Sequence, residues 1–340
     1  MRKHALVVLV GLATVLVLAF GLQIEVLTDY AKHEYFLGNW GAGQGEFGLV
    51  TGTDGNTYGP LCFAVGVDGR VVVPDVANKR LVVVSRNSDG TISHASLNLS
   101  GKKQVTNIEI LEDGSICYVG ASQTALTVIP PNGGEREISF PKGALGDVCS
   151  VDAMWSSGEN VLWVLDSLVT ESGLQRRLWR VDVASGKSIL ALKSDTHDQT
   201  AVRTAVPGRD GSALVEVGIG APSQRRIVVI NAEAKRTAEL VLPNLDEFTQ
   251  VRLLGGDRQG CLYFYCAGVD KTPRIRKVTQ GGALVRDFVL NGRARELMPV
   301  VLKVYQDGSI YMLEPRKEGL YLLVQNAVTR RRVSLRRLNG

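Results

Sequence analysis

The sequence is poor in the residues that carry soft-metal and thiol chemistry. Only 4 of its 340 residues are histidines, and its 5 cysteines are scattered along the chain. This scarcity argues against a zinc-cluster protein and against a disulfide-dense scaffold. Proline is also scarce, at 11 residues, whereas glycine reaches 37 without a triplet period. That combination argues against a collagen-like structure and predicts many tight turns.

The overall composition is that of a folded chain. Hydrophobic residues make up 45% and charged residues 21%, which excludes wholesale disorder. The chain is longer than the roughly 250 to 300 residues at which one compact core usually stops growing, unless the fold is repetitive. We therefore expect either one large repeat domain or two ordinary domains.

One long apolar run is present, and it lies close to the N-terminus. Arg2 and Lys3 precede an uncharged stretch over residues 5–22, which as a helix spans about 27 Å, close to the thickness of membrane hydrocarbon. Acidic residues follow this stretch, so the positive-inside rule places the N-terminus in the cytoplasm. We therefore predict a transmembrane signal anchor over residues 1–22, a single pass through the cell membrane, and an extracytoplasmic C-terminal domain.

A cleaved signal peptide is the alternative to an anchor, because Ala19 and Gly21 are small residues two apart. In both cases the folded part faces away from the cytoplasm, so nucleic acid is not an expected partner. The expected partners are the membrane, through the N-terminal helix, and a protein or small-molecule ligand of unknown identity. The net charge is only +5. Five arginines near the C-terminus equal this excess: Arg330, Arg331, Arg332, Arg336 and Arg337.

Hairpin turns recur through the rest of the chain at nearly constant spacing. Each is a dipeptide that ends in glycine and is flanked by β-branched or aromatic residues. The turns are Asp68-Gly69, Asp113-Gly114, Ser157-Gly158, Asp210-Gly211, Gln259-Gly260 and Asp307-Gly308. Their glycines lie 44 to 53 residues apart, and the same order of predicted strands follows each turn. Such a period is typical of propeller blades.

The repeats predict an all-β fold. We expect a six-bladed β-propeller of four-stranded antiparallel sheets over residues 61–340, preceded by the transmembrane helix and by a Gly-rich linker over residues 23–60. Radial stacking lets each sheet bury both of its faces and protects its edges. The outer strand of the sixth unit is predicted at residues 332–338. A β-sandwich pair would not repeat its strand order six times, and a β-helix would repeat at a shorter interval.

The first unit resembles the NHL-repeat family of six-bladed propellers. The resemblance lies in Gly45-Glu46-Phe47-Gly48, in the valine-rich Asp-Gly hairpin of residues 66–75, and in Asn78-Lys79-Arg80 before the next strand. It implies the propeller fold, whereas members of the family include ligand-binding, protein-binding and RNA-binding proteins as well as enzymes. Among similar propellers, amidating and streptogramin lyases depend on histidines near the axis.

Two histidines, His94 and His197, fall within the predicted blades of this chain, in or just after outermost strands. Lyase activity of that kind is therefore not expected. Gluconolactonase-like propellers instead use carboxylates and an Asn around a divalent cation, which leaves that activity open.

Carboxylates recur where the second strand of a unit turns into the third. Four of the six units carry one, and these junctions fall on one rim of a propeller; the residues are Asp75, Asp166, Glu216 and Glu314. A ring of carboxylates at a channel mouth is a candidate site for Ca²⁺ or for a basic ligand. We call these four residues the rim carboxylates.

Arginines stand immediately before the third strand in four units. They are Arg80, Arg177, Arg226 and Arg274, each placed to close its loop by a bidentate bond to a carboxylate of its own unit. In the fifth unit Cys266 replaces the acid, and Asp270 is the candidate substitute. We favour structural clamps of this kind over a metal site, so no cofactor is expected and Ca²⁺ is the alternative.

No cysteine nucleophile lies near a histidine at equivalent positions of the repeats, which favours binding over catalysis. Our first hypothesis is a membrane-anchored propeller that binds a protein or a small ligand. The second is a gluconolactonase-like hydrolase whose cation is held by the rim carboxylates. The third is a scaffold subunit of a cell-envelope complex, which docks through residues 170–175 and 193–203.

Overall fold

The computed structural model describes the chain from Phe20 to Arg337 with several gaps. The described residues are 20–52, 57–99, 104–120, 125–140, 149–158, 160–171, 173–195, 201–218, 225–241, 245–268, 271–290 and 301–337. Residues 1–19 of the predicted anchor lie outside them. The last three residues of the anchor, 20–22, belong to a β-strand, so the helix prediction is wrong there. No helix among the described residues has the length and apolar character of a membrane span.

The chain forms two compact units. The larger comprises residues 34–324 and contains the sheets that form the blades. The smaller comprises residues 1–33 and 325–340, and its described residues, 20–33 and 325–337, belong to two long strands.

The described residues form seven antiparallel sheets, of which six are four-stranded. The chain begins with β1 (Phe20–Gly38) and a short hairpin of β2 (Val50–Thr51) and β3 (Thr57–Tyr58). Blade 1 contains β4 (Ala64–Val65), β5 (Val71–Asp75), β6 (Arg80–Arg86) and β7 (Ile92–Asn98). Blade 2 contains β8 (Val105–Ile110), β9 (Ile116–Gly120), β10 (Ala125–Ile129) and β11 (Arg136–Ser139). Blade 3 contains β12 (Cys149–Ser156), β13 (Val161–Thr170), β14 (Gly173–Asp182) and β15 (Lys187–Asp195).

The remaining blades follow the same order. Blade 4 contains β16 (Val202–Pro207), β17 (Ala213–Val217), β18 (Arg226–Ile230) and β19 (Arg236–Val241), with a 3-10 turn over Arg209–Gly211. Blade 5 contains β20 (Gln250–Gly256), β21 (Leu262–Gly268), β22 (Lys271–Val278) and β23 (Leu284–Val289). Blade 6 contains β24 (Val301–Val304), β25 (Ile310–Arg316), β26 (Gly319–Arg337) and β1.

The six turns predicted from the sequence join the first two strands of each blade. Their glycines, Gly69, Gly114, Gly158, Gly211, Gly260 and Gly308, all have a positive φ, a conformation that costs glycine little. In four of the turns an aspartate side chain accepts a hydrogen bond from the backbone N–H two residues on, at 2.8 to 3.0 Å. Local chemistry therefore determines where the first two strands of a blade meet.

The apolar core lies between the blades. Buried clusters link blades 1 and 2, 2 and 3, 3 and 4, 4 and 5, and 6 and 1. The last of these combines Leu313 and Leu320 of blade 6 with Val71 and Val73 of blade 1. The first strands also contact one another in the order β4, β8, β12, β16, β20 and β24. The sheets thus close into a ring around these first strands, as the repeats predict.

The outer strand of blade 6 comes from the N-terminal side of the chain, which corrects the sequence prediction. The strand order of this sheet is β1, β26, β25, β24, and residues 332–337 continue β26. Arg316 donates two hydrogen bonds, of 2.7 and 2.8 Å, to Glu34 in β1. The indole N–H of Trp40 donates to the carbonyl oxygen of Arg316 at 2.7 Å. Part of the stretch predicted as a linker, residues 23–60, therefore belongs to the propeller.

Candidate functional site

The rim carboxylates are all buried, and each is bonded to an arginine. Their residues expose between 0% and 2% of their surface. In blade 1, Arg80 donates from Nε to Asp75 at 2.9 Å. In blade 3, Arg177 donates to both oxygens of Asp166, at 2.9 and 2.7 Å, and the Trp179 indole N–H adds a bond of 3.1 Å. Both arginines lie directly opposite their carboxylates in the register of the second and third strands, as predicted.

Blade 4 uses a different arginine from the one predicted. Arg226 lies opposite Val217, one residue beyond Glu216, so strand alternation puts its side chain on the other face of the sheet. It bonds Glu239 on the outer strand at 2.7 Å. Arg225, which precedes the strand, donates instead to Glu216 at 2.5 Å.

Blades 5 and 6 also depart from the predicted pairing. Arg274 lies opposite Cys266 and bonds Asp287 on the outer strand at 3.3 Å. Asp270, the candidate substitute, lies outside the described residues. In blade 6, Glu314 accepts from Nε of Arg316 at 2.6 Å.

These pairs do not fit a shared cation site. Each rim carboxylate is bonded within its own blade, whereas Ca²⁺ takes six to eight oxygen ligands from one cluster. Across the described ranges, no group of three or more histidine, cysteine or acidic side chains is placed to hold a metal. The rim carboxylates therefore do not form the ring that the calcium hypothesis requires.

Four cysteines, Cys62, Cys117, Cys261 and Cys266, are poor nucleophiles. Burial raises the pKa of the Cys62 thiol to about 12 and that of Cys266 to about 11. Burial also raises the pKa of Cys117 and Cys261. These thiols stay protonated near neutral pH, and the thiolate is the reactive form.

Of the two blade histidines, His94 is described, and it makes a contact with the backbone of β1. His94 lies on the outer strand β7 and donates from Nε2 to the carbonyl oxygen of Leu37 at 2.7 Å. His197 lies outside the described residues.

A cavity of about 570 Å³ lies at the rim of blades 3, 4 and 5. We call it the rim cavity. Its apolar wall includes Leu165, Val202 and Val251, and its polar wall consists of Asp152, Arg176, Arg203, Thr204, Glu216 and Arg252. The volume falls in the range of small-molecule sites, which combine apolar walls with a few polar groups.

β-Bulges distort the first strands next to this rim. Strand pairing skips Thr106 in β8, Asp152 in β12 and Arg203 in β16, so each occupies the extra position of a bulge. A bulge re-aims the side chain that it carries and is common next to binding sites. The bulged residues of blades 3 and 4 are Asp152 and Arg203, and both are exposed and line the rim cavity.

Ion pairs order the blade 3 side of the rim cavity. Nε of Arg176 lies 3.3 Å from Oδ2 of Asp152, which also accepts from the Ser167 hydroxyl at 2.5 Å. Arg176 reaches across to blade 4 and donates to the carbonyl oxygens of Val202 and Arg203, at 3.1 and 2.5 Å.

The blade 4 and blade 5 sides carry two further arginines. Nε of Arg203 lies 3.5 Å from Oε1 of Glu216, and its side chain is 43% exposed. Arg252 of β20 is exposed, and its guanidinium lies over the ring of Tyr265, 5.9 Å from the ring centroid.

The chain is similar in structure to several solved proteins. A luciferin-regenerating enzyme gives a TM-score of 0.52 at 11% identity, and the match covers 91% of this chain and 98% of that one. A gluconolactonase from Xanthomonas campestris gives a TM-score of 0.51 at 11% identity over 91% of this chain and 99% of that one. Virginiamycin B lyase from Staphylococcus aureus gives a TM-score of 0.47 at 14% identity over 88% of this chain and 100% of that one.

The fold is a six-bladed β-propeller. At 11% identity the first two similarities establish this fold and no activity. No protein-family model and no curated protein matches the sequence. The resemblance of the first unit to NHL repeats therefore stays a prediction.

Several residues of the rim cavity were not predicted as site residues. Asp152 and Arg203 line it because of bulges, and a bulge leaves no signature as clear as an Asp-Gly turn. The strand sequences around the other polar residues contain no motif that marks a site; these residues are Arg176, Thr204 and Arg252. Of the rim carboxylates and arginines predicted from the sequence, Glu216 is the one that reaches the cavity wall, and residues 201–203 of the predicted docking segment line it as well.

Proposed function

We propose that this protein is a binding module and that its ligand occupies the rim cavity. The observation that carries the proposal is the cavity itself, which brings polar side chains of three blades together around a volume of about 570 Å³. The side chains are ordered before any ligand arrives, because Arg176 pairs with Asp152 within blade 3 and donates a hydrogen bond to the Val202 carbonyl of blade 4. A preformed site of this kind loses little entropy when it binds.

A metal-dependent hydrolase has less support. The similarity to a gluconolactonase concerns the fold, and the rim carboxylates are each neutralised by an arginine. Asp152 and Glu216 share the rim cavity, but the first is bonded to Arg176 and the second to Arg225.

The scaffold hypothesis rests on two surface segments. Of residues 193–203, those from 196 to 200 lie outside the described residues. The other segment forms the hairpin between β13 and β14, where Val169 is 57% exposed and Leu174 is 36% exposed. An exposed apolar hairpin is compatible with docking, but single exposed side chains are common on protein surfaces. Ligand binding is therefore the better supported function.

We also propose that the propeller faces away from the cytoplasm and is tethered to the membrane by the residues that precede Phe20. The support for this part is the sequence pattern alone, in which Arg2 and Lys3 stand before the apolar stretch and acidic residues follow it.

A bulky substitution in the cavity wall tests the ligand site. Thr204 is half-buried on β16, lies opposite Glu216 and lines the rim cavity. Thr204→Trp fills part of the cavity, so it should abolish the thermal stabilisation caused by ligands found in a small-molecule screen. Thr237→Trp is the matched control, because Thr237 is an exposed residue on the outer strand of the same blade. Ligands that stabilise the wild type and Thr204→Trp equally would place the binding site elsewhere.

A further inference from the structure

We propose that the rim cavity recognises an anionic oxygen group, a carboxylate or a phosphate, through Arg252 and Arg203. This inference rests on the proposed function, since it names the chemistry of the ligand that the cavity takes. It is carried by the charge, the pairing and the burial of the side chains in and next to the cavity wall.

Cations outnumber anions around the rim cavity. Its wall contains three arginines, Arg176, Arg203 and Arg252, and two carboxylates, Asp152 and Glu216. Arg225, which is bonded to Glu216 from outside the wall, adds a fourth guanidinium. Because arginine remains protonated at all physiological pH values, this surplus is permanent. A cavity partly closed to solvent concentrates such a field on its contents.

Both carboxylates already have cationic partners. Asp152 is paired with Arg176 and also accepts a hydrogen bond from the neutral Ser167 hydroxyl, while Glu216 has Arg225 at 2.5 Å and Arg203 at 3.5 Å. Neither carboxylate is therefore available to a cationic ligand without the loss of an existing ion pair. A neutral or anionic ligand faces no such cost.

Arg252 has no carboxylate partner among the described residues, although it lies at the cavity wall. The Tyr265 ring, directly opposite on β21, supports its guanidinium from one face. This contact orients the guanidinium without neutralising it, and the donors at its edge are left for a ligand. Arg203 is nearly half exposed, and the 3.5 Å separation from Glu216 is too long for a strong bond, so Arg203 is the second donor.

Two buried donors show that the arginines of this region are not saturated. Nε of Arg225 is buried without a hydrogen-bond partner among the described residues, and Nε of Arg176 lies 3.3 Å from Oδ2 of Asp152 in a geometry that makes an ion pair but no hydrogen bond. A buried polar group without a partner in the protein is usually completed by an ordered water, an ion or a ligand. An anion in the cavity adds acceptors where the protein has an excess of donors.

Bidentate bonding to a carboxylate or a phosphate is the ligand geometry that a guanidinium prefers. Both chemistries fit the arginines, and the apolar wall favours a carbon chain attached to the anionic group. Two probes distinguish a carboxylate ligand from a phosphate ligand: succinate is an organic dicarboxylate, and inorganic phosphate has no carbon chain. Succinamide is the neutral control of the same length as succinate.

The experiment is calorimetric titration of full-length protein with each probe at fixed ionic strength. We expect succinate or phosphate to bind and succinamide to bind at least tenfold more weakly. Arg252→Gln should weaken the anion at least tenfold. Arg258→Gln is the matched control, because Arg258 is exposed on blade 5 but belongs to the turn after β20 and not to the cavity wall. It removes the same charge and should change the affinity less than twofold.

The outcomes separate this inference from the proposed function. If anions bind no better than succinamide, or if Arg252→Gln and Arg258→Gln weaken them equally, the anion site is wrong. A neutral ligand that Thr204→Trp excludes would then still support a ligand site in the rim cavity. Anion binding that Thr204→Trp leaves unchanged would overturn both proposals, because the anion would bind outside the cavity.

Discussion

The Asp166–Arg177 pair of blade 3 offers a direct test of whether the rim carboxylates are structural clamps. The perturbation is Arg177→Met, which keeps most of the side-chain volume and removes the charge. Asp166 is 1% exposed and receives two bonds from Arg177 and one from Trp179. After the substitution, this buried carboxylate keeps the hydrogen bond from the Trp179 indole N–H but has lost its cationic partner.

We expect Arg177→Met to lower the free energy of unfolding by a large amount. Removing one partner of a buried ion pair typically lowers the free energy of unfolding by about 3 to 5 kcal/mol, because the other charge is left without compensation. The double variant Asp166→Leu/Arg177→Met removes both charges and should recover at least about 2 kcal/mol of that loss, since an apolar pair of similar volume tolerates burial. The Trp179 N–H then loses its acceptor, which costs about 1 kcal/mol and keeps the recovery incomplete.

Urea unfolding followed by tryptophan fluorescence measures these energies. Three of the four tryptophans, Trp155, Trp163 and Trp179, lie in blade 3 and report on it directly. The control is Arg209→Met, which breaks the exposed Arg209–Asp210 pair, where the side chains are 62% and 74% exposed. Exposed pairs contribute about 0.2 to 1 kcal/mol. If Arg177→Met costs no more than this control, or if the double variant costs the sum of the single ones, the clamp is not structural.

Three further predictions concern pH, metal and location. Lys303→Met should cost about 3 kcal/mol of unfolding free energy at pH 8 and much less at pH 5. Burial raises the pKa of Glu109 above its usual 4.5, and Lys303, 2.8 Å away, opposes this rise. Without Lys303, Glu109 keeps its proton in the native state at pH values at which the unfolded state has released it, so the native state loses stability as the pH rises. Adding Glu109→Gln should remove this pH dependence, and its persistence would exclude Glu109 as the cause. Calcium or EDTA should leave the thermal midpoint unchanged, whereas calcium stabilisation that Asp166→Ala abolishes would favour the hydrolase. A phosphatase reporter fused after Gly340 should be active outside the cytoplasm, and a fluorescent cytoplasmic fusion would contradict the proposed orientation.

The turns and the nearest strand pairs were predictable because they depend on local sequence. A glycine with positive φ two or three residues before the second strand of a blade determines a hairpin without help from the rest of the chain. Asp75 and Arg80 are five residues apart and lie opposite each other across one short loop. The same logic succeeds for Asp166 and Arg177, which lie further from their loop because β13 and β14 extend beyond them in a regular register.

The prediction for blade 4 named an arginine one residue away from the one that bonds Glu216. Arg225 and Arg226 are adjacent, and either could precede the third strand in a sequence pattern. Because side chains alternate between faces, only one of them can reach Glu216, and the choice depends on the register of β17 and β18. Blade 6 failed for a different reason, since its outer strand comes from the opposite end of the chain and no local period points to it.

The bulges explain why the rim cavity could not be predicted from the sequence. They also explain how a cavity can form at a rim that ion pairs stabilise. A bulge depends on how two strands pair, so Asp152 and Arg203 have no local signature. The bulges lie between the first and second strands, whereas the carboxylate clamps lie between the second strand and the third or the segment before it. The clamps therefore hold the rim while the first strands are free to bend and to turn side chains into the cavity. It follows that clamp variants should act on stability and cavity variants on binding. Glu216, bonded to Arg225 and also part of the cavity wall, is the residue at which the two effects should coincide.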